Sequence, residues 1–550
     1  MRYGLGRATV CTCLALALTS AISSAQSLSP SPTAAELCAP GTTIGSILVE
    51  RVNVFDLEEK GENKRIFRVV NTVHRPMLTR DFTVRALLTL REGDACSLES
   101  LHEAERSLRA IRIFQDAWIE PIERQADRVT IRVRVRDAWS TKVRASFSSQ
   151  GGANRSVFAV NEKNLFGTGY SLSWEKRSDQ DRDERNLEFT MPQMFGSKWQ
   201  LYLLDGKNSD GQDRIIQIQY PFYKLDSRHS FFFQGEKQSL EQKVYVGPKV
   251  VDTWTSDLQT AQASFGWSPR GLENGKVRRY YASMNWNKTS WSPTDLPIQR
   301  PDLAPRNVDR SQAGFQYVWT RPDFRRVAFY DTARRIQDFD MSDRVSFGVS
   351  VPIPDFTQQQ AYGGQVLWQR GVDLGNRNLA VFTSQYTFQR LDGDWLNRVF
   401  DSRAEVWFKR TDLRTLYMQG RAAFGQDLEG QNRFLLGGDT GLRGYRSRAF
   451  TGSNLLLLDI EYRFFAPWEI AHLFRVGLVG FGEVGAIWED EQPLSWARAH
   501  PDIGIGARFE LLRSSHGTTV QVNVAYPLDP NGDPEEGQKL QFSVLTTQGF

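Results

Sequence analysis

Ile503-Gly504-Ile505-Gly506-Ala507-Arg508-Phe509-Glu510-Leu511 alternates without a break: each odd position is apolar, and each even position is glycine or charged. A β-strand sends successive side chains to opposite faces, so this stretch separates an apolar environment from a polar one. The same period appears where Tyr170, Leu172 and Trp174 alternate with Ser171, Ser173 and Glu175. It appears again where Ile216, Ile218 and Tyr220 alternate with Gln217 and Gln219. The pattern begins after Trp139 and persists to the C-terminus. A soluble sandwich shows the same alternation but needs a second sheet over its apolar faces, whereas a barrel in a bilayer turns them to lipid. We therefore expect an all-β transmembrane barrel over residues 139–550. At roughly 25 residues per strand and connection, about sixteen antiparallel strands fit.

Composition agrees with that expectation. The 550 residues are polar on average, with a mean hydropathy of −0.45. Yet 12% are aromatic, including 15 Trp, as girdled barrels require. A secreted sandwich array or propeller is also rich in Trp and Tyr, so composition alone leaves both open. A formal charge of +4 over this length leaves no footprint for nucleic acid.

Before residue 139 the texture differs. Met1 to Ala25 read as an export signal: Arg2 and Arg7 precede an apolar run from Ala8 to Leu18, and Ser23-Ser24-Ala25 offers a cleavage site. Cys11 and Cys13 lie at the front of the apolar run, out of place for lipidation. Residues 26–46, with two prolines in a Ser-rich run, read as a flexible leader. Residues 47–138 follow the order strand, helix, helix, strand, strand, which fits a small α+β domain. Val129, Ile131, Val133 and Val135 alternate on its last strand, and Ser97 is placed to cap a helix carrying Leu101, Ala104 and Leu108. Ile66 to Met77 are an insertion or an extra helix. Cys38 and Cys96 either pair in an oxidising periplasm or stay as two free small side chains.

Gly437-Gly438-Asp439-Thr440-Gly441-Leu442-Arg443-Gly444-Tyr445 places four glycines around one guanidinium and one ring. A loop tucked into a polar cavity needs small residues for close approach and an Arg to engage a carboxylate. The alternative is an exposed turn with a solvated Arg. Counting back from the C-terminus, five strands follow this loop, at about 453–465, 472–488, 501–512, 518–527 and 538–548. Short links at Ala466–Trp468 and Ser514–Gly517 alternate with longer ones at Glu489–Ala499 and Leu528–Gly537. Bacterial barrels keep short turns in the periplasm, so the glycine-rich loop falls outside and the C-terminus returns to the side of the N-terminal domain.

Several stretches resemble one superfamily, the POTRA-plus-barrel proteins of outer-membrane assembly and secretion, which include BamA, TamA and the two-partner secretion transporters. Leu90-Arg91-Glu92-Gly93-Asp94, Leu101 to Leu108 and Phe114 with a closing strand resemble a single POTRA repeat. Asn164 to Gly169 resembles the first barrel hairpin, Glu461-Tyr462-Arg463-Phe464 the strand after the loop, and Phe481-Gly482-Glu483-Val484-Gly485 the next strand, where members usually carry Phe-x-Asp-x-Gly. Glu535-x-Gly537-x-x-Leu540-x-Phe542, with terminal Phe550, resembles a C-terminal insertion signal. The resemblance implies that the loop folds into the lumen and that Arg443 pairs with Glu483. Phe481, Glu483 and Gly485 share the inward face, and Tyr445 packs on the wall. It also implies an outer-membrane location with a periplasmic N-terminal domain, no cofactor and no covalent chemistry. The implied partners are an unfolded or extended client protein, outer-membrane lipid and an accessory lipoprotein. One repeat is fewer than the usual set, which points to a single client rather than general assembly.

Enzymatic readings have little to rest on. The six His form no spaced metal set, and no Gly-x-Ser-x-Gly elbow occurs. Ser514-Ser515-His516 are adjacent in a turn, where such residues are common. A passive porin is the other rival, and the domain before residue 139 argues against it.

Overall fold

A computed structural model describes residues 33–548 apart from 60–61, 112, 151–152, 180–181, 247–248, 295–303, 329, 331–336, 430–431, 471–472, 491, 513–517 and 530–536. The expected signal segment, Ser514 to His516 and Phe550 therefore lie outside the described residues.

The N-terminal domain runs α1 (Ala34–Leu37), β1 (Thr43–Val52), α2 (Arg65–His74), α3 (Asp81–Leu87), α4 (Leu98–Ala110), β2 (Phe114–Gln125) and β3 (Arg128–Asp137). The strands lie in the order β1-β3-β2, with β1 parallel and β2 antiparallel to β3. Val129, Ile131, Val133 and Val135 on the central strand are fully buried against Val84, Leu87, Leu101, Ala104 and Leu108 of α3 and α4. Ser97 Oγ accepts the N–H of Ser100 at 3.1 Å and so starts α4. The stretch from Ile66 forms a helix of its own, α2, whose Phe67 and Val70 pack with Phe55, Trp139 and Leu473.

One expectation is corrected here. The segment assigned to a flexible leader is ordered from Thr33 onward, and the first strand begins at Thr43 rather than Ile47. Thr33 and Glu36 form a reciprocal capping box on α1. Cys38 is bonded to Cys96 across 58 positions, a loop length for which a disulfide contributes about 4 kcal/mol on the chain-entropy estimate.

From Thr141 to Gln548 the chain forms one antiparallel ring. Its closed order contains twenty-one strands, of which one is the two-residue spur Leu272–Glu273. That leaves twenty long strands among the described residues, from Thr141–Gln150 to Gln541–Gln548, which border each other at the seam. The expected sixteen is too few because many connections are far shorter than allowed for. Asn208 pairs with Gly211 and Leu391 with Asp394, which leaves two residues per turn. The even count returns the C-terminus to the rim that carries the N-terminal domain, here the proximal rim. The last five strands fall at Asn454–Phe465, Phe474–Trp488, Ala499–Leu511, Thr518–Pro527 and Gln541–Gln548. The rule of short proximal and long distal links holds there but not throughout the first half. The distal turn between Asn208 and Gly211 is tight, whereas the proximal link between Arg321 and Asp343 carries a two-stranded ribbon, Phe324–Val327 with Gln337–Asp340.

The alternation is inside out relative to a soluble protein. Leu172, Trp174, Ile216, Phe233, Trp286, Phe347, Trp368, Ile503, Ile505 and Phe542 are exposed on the outer face. Exposed apolar surface this continuous marks a face that meets something other than water.

The N-terminal domain is fixed to the proximal rim by hydrogen bonds. Asn164 Nδ2 donates to Met77 O and to Thr79 Oγ1, both at 2.7 Å. Thr83 Oγ1 and the N–H of Arg80 both donate to Gly167 O, at 2.9 Å. Lys198 Nζ donates to the carbonyls of Ala86 and Leu88 at the end of α3, at 2.6 and 2.8 Å.

At the centre of this joint the Asp137 carboxylate, fully buried, accepts the N–H of Thr79 at 2.7 Å. Burial pushes its pKa from 3.8 up to about 7, against the opposing pull of that bond and of Arg51. The folded state then retains a proton that the unfolded chain has released. The contribution is full below the unfolded value and is lost as pH rises through the folded one. Replacing Asp137 by Asn is expected to remove this dependence. Thermal unfolding of the wild type, followed by tryptophan fluorescence, should weaken between about pH 4 and about pH 7 more steeply than that of Asp137→Asn. Equal slopes would exclude Asp137 as the source.

Candidate functional site

Strand register builds the site. Asp459 is paired with Glu483, and Glu483 with Asp502, so three acidic residues stand abreast on three neighbouring strands. Glu461 lies one inward position further along, opposite Phe481. Glu461, Glu483 and Asp502 are buried, while Leu458, Tyr462, Ile503 and Ile505 on the alternate positions are exposed on the outer face. The carboxylates therefore point into the lumen. Unpaired like charges this close, and shielded from solvent, repel strongly.

The loop between Gln426 and Asn454 supplies the counter-charge. Its stem is a short ribbon in which Phe434–Leu436 pairs with Phe450–Gly452. The nine-residue turn above it closes on itself: the N–H of Leu442 reaches Gly437 O at 2.9 Å, and the N–H of Gly438 reaches Arg446 O at 3.0 Å. At its tip Arg443 Nε donates to Glu483 Oε1 at 2.6 Å, and its main-chain N–H donates to Glu483 Oε2 at 2.6 Å. Nη1 donates to Glu461 Oε1 at 2.7 Å and Nη2 to Asp459 Oδ1 at 3.1 Å. The Phe481 ring centroid lies 3.6 Å from the guanidinium carbon, a stacking distance for a cation on an aromatic face. Burial on its own would lower the Arg443 pKa; the charges of Glu483, Glu461 and Asp459 reverse that and raise it.

The neighbours of Arg443 complete the clamp. The Gly444 N–H donates to Asp502 Oδ2 at 2.8 Å. A Cβ there would come within 2.6 Å of the Asp502 Cβ, so only glycine reaches this carboxylate without displacing it. Tyr445 is buried, and its hydroxyl donates to Pro501 O at 3.0 Å. Leu442 is buried with Leu436, Leu455 and Leu457, in space left by Gly485, where a Cβ would stand 3.3 Å from a Leu442 methyl. Gly437, Gly438 and Gly441 form the turn itself.

The arrangement thus joins Gly437 through Tyr445 with Phe481, Glu483 and Gly485. The pairing implied for Arg443 and Glu483 has two further acids beside it, Asp459 and Glu461, and Asp502 on the next main-chain N–H. Sequence parity could have found them, since Asp459, Glu461 and Asp502 occupy inward positions of alternating strands. Their alignment with Glu483 depends on register and is not visible in one strand. Of the C-terminal residues, Leu540 and Phe542 are exposed, Phe542 on the outer face of the last strand. Gly537 adopts a positive φ of 68° in the connection before it.

No protein-family model matches the chain, and no curated protein sequence does. Among solved structures it is similar to BamA from Haemophilus ducreyi lacking POTRA domains 1–3, with 12% identity, a TM-score of 0.40, and coverage of 92% of this chain and 84% of that one. It is similar also to CdiB from Acinetobacter baumannii, with 12% identity, a TM-score of 0.47 and coverage of 92% and 74%. For CdiB from Escherichia coli the values are 11%, 0.37, and 94% and 92%.

Removing the guanidinium takes the shared counter-charge from Glu483, Glu461 and Asp459, and breaking a buried ion pair by removing one partner costs about 3–5 kcal/mol. Arg443→Ala is therefore expected to lower the temperature at which the folded barrel loses its compact mobility on a semi-native gel. Arg443→Lys should recover only part of the loss, because one ammonium cannot reach three carboxylates through a planar fork. A wild-type midpoint for Arg443→Ala would remove the clamp from any account of barrel stability.

Proposed function

We propose that this chain is an outer-membrane pore of the protein assembly or secretion type, with its N-terminal domain in the periplasm. The observation that carries this reading is an external loop folded into the lumen and clamped there by Arg443, in a barrel whose other mouth carries a docked α+β domain. A simple diffusion channel has no use for the docked domain. The exposed apolar outer face fits lipid, and the exposed Trp468 at the proximal rim suits an interfacial position. The N-terminal domain would hold an extended client by strand addition, in which main-chain hydrogen bonds supply affinity regardless of sequence. The seam between the first and last strands, Thr141–Gln150 and Gln541–Gln548, is the natural place for client strands to enter or for the bilayer to be thinned. With one such domain, we assign the protein a narrow client set, and an accessory lipoprotein is the further partner that the family resemblance adds. No step of this cycle calls for covalent chemistry or a cofactor.

A passive channel is the second reading. It draws support from an inner wall of neutral polar groups, including Gln262, Asn285, Gln316, Ser350, Gln365 and Gln389, which suits a wet lumen. The two readings separate on depletion of the protein followed by quantitative proteomics of the outer membrane and the secreted fraction. Selective loss of one protein or a few is expected. An unchanged proteome together with steady conductance in planar bilayers would favour the passive channel and overturn the assembly reading.

A further inference from the structure

β2 is an edge strand, yet its outward main-chain groups are covered. The Ala117 N–H donates to Asp116 Oδ1 at 2.8 Å, and the Ala117 carbonyl accepts from Arg109 Nη1 at 3.1 Å. The Ile119 N–H donates to Glu105 Oε1 at 2.7 Å. Two residues on, Pro121 has no N–H to offer. Side chains and a proline that occupy an edge prevent pairing with another chain. Two of the covering groups, Glu105 and Arg109, stand one turn apart on α4.

Both of these side chains have a second hold, and it comes from the barrel. In the proximal ribbon Arg326 and Asp338 are cross-strand partners. Asp338 takes Arg109 in a two-point bond, Nε to Oδ2 and Nη2 to Oδ1, both at 2.9 Å. Arg326 Nη2 donates to Glu105 Oε2. The Phe324 ring lies beneath the Arg106 guanidinium, 3.8 Å from its carbon. The Glu105 and Arg109 side chains are only 6% and 9% exposed, so on the α4 side these contacts are desolvated, whereas Arg326 is half-exposed.

The other edge differs. On β1 the N–H and carbonyl of Ile44 bond to the main chain of Asp94 and Gly93 at 2.8 Å. The Ile47 carbonyl takes Arg85 Nη2 at 3.0 Å, and Arg85 is held by Asp81 of its own helix. Those three main-chain groups are held from within the domain.

We propose that the Ala117–Ile119 edge of β2 is the docking site for an extended polypeptide, and that the Arg326/Asp338 ribbon keeps it masked by pinning the two side chains that cover it. This rests on the client-binding reading above and adds its regulation. Once the ribbon withdraws, Glu105 and Arg109 lose their anchors and regain rotamer freedom, and an incoming strand replaces two side-chain bonds with main-chain ones. The ribbon is rooted in the barrel: beyond Val327, Tyr330 is buried with Leu379, Trp407 and Tyr417. Rearrangement of the barrel and exposure of the edge therefore share a moving part.

The test uses the full-length protein in lipid nanodiscs. The probe is a fluorescent synthetic peptide of the last strand, Gln541 to Phe550, which stands for an extended barrel-strand client. Arg326→Ala combined with Asp338→Ala should accelerate hydrogen exchange at the Ile119 amide, which Glu105 covers, and tighten peptide binding about tenfold. If exchange and affinity do not change in the double variant while the wild type binds the peptide at β2, the mask is overturned and client docking stands. If exchange accelerates but the peptide binds neither protein, docking at this edge is overturned and the client-binding reading falls with it.

Discussion

A guanidinium buried among carboxylates sets the terms for the C-terminal half of this barrel. Antiparallel register brings Asp459, Glu483 and Asp502 into one row on adjacent strands, an arrangement that repels itself unless a counter-charge arrives. Arg443 provides it from a loop that folds inward, through four bonds counting its own N–H, and the Gly444 N–H takes the third acid of the row. Neither partner is stable in place alone. A desolvated arginine without acids and a row of acids without arginine each carry a penalty larger than most single contacts in a protein. The wall and the loop therefore fold as one unit, and the glycines are the consequence. Side chains at 444 or 485 would hold the loop off the wall.

The outside of the ring follows from the same alternation with opposite chemistry. Where Asp459, Glu461 and Glu483 face in, Leu458, Ile460 and Val484 face out. The inner surface is itself divided. The patch lined by Gln262, Asn285, Gln316, Ser350, Gln365 and Gln389 consists of uncharged amides and hydroxyls, with Arg310 beside it donating to Gln389 Oε1 at 3.3 Å. A segment of chain lying against that patch meets mainly neutral donors and acceptors. One lying against the opposite wall must compete with Arg443 for its carboxylates. The lumen is thus asymmetric around its circumference, and its sticky side lies next to the seam strands.

Much of this was legible in the sequence because it depends on short-range periodicity. Period-two alternation is a property of a single strand, and it placed the last five strands to within a few residues. Parity also put Glu483 inside. What depends on pairing between strands was not visible: the alignment of Asp459 and Asp502 with Glu483 is set by register, which no single segment encodes. The strand count came out low because two-residue turns such as that between Asn208 and Gly211 leave almost no polar interval to read. Order in the presumed leader escaped notice for a different reason. A four-residue helix has no periodicity, and it persists through the Thr33–Glu36 box and the Cys38–Cys96 bond. Both are contacts of particular atoms rather than patterns. The proximal ribbon at 324–340 gave no signal, since its strands are four residues each and their partners lie in the N-terminal domain.

Two intrusions enter the ring from opposite rims, and one carboxylate joins them. Glu461 Oε1 takes Arg443 from the distal loop at 2.7 Å, and Glu461 Oε2 takes Arg463 Nε at 2.7 Å. Arg463 Nη1 in turn lies 3.5 Å from the Tyr330 carbonyl on the proximal link, with its guanidinium carbon 4.0 Å from the Tyr417 ring centroid. That link leads back to Asp338 and Arg326, hence to α4 and the covered edge of β2. A series of charged and aromatic contacts therefore runs from the tip of the distal loop to the surface of the N-terminal domain. Its members are bidentate or stacked guanidinium contacts, which tolerate little displacement before they break. Such contacts hold or release as a set rather than stretch, because losing one partner of a desolvated pair raises the cost of keeping the next.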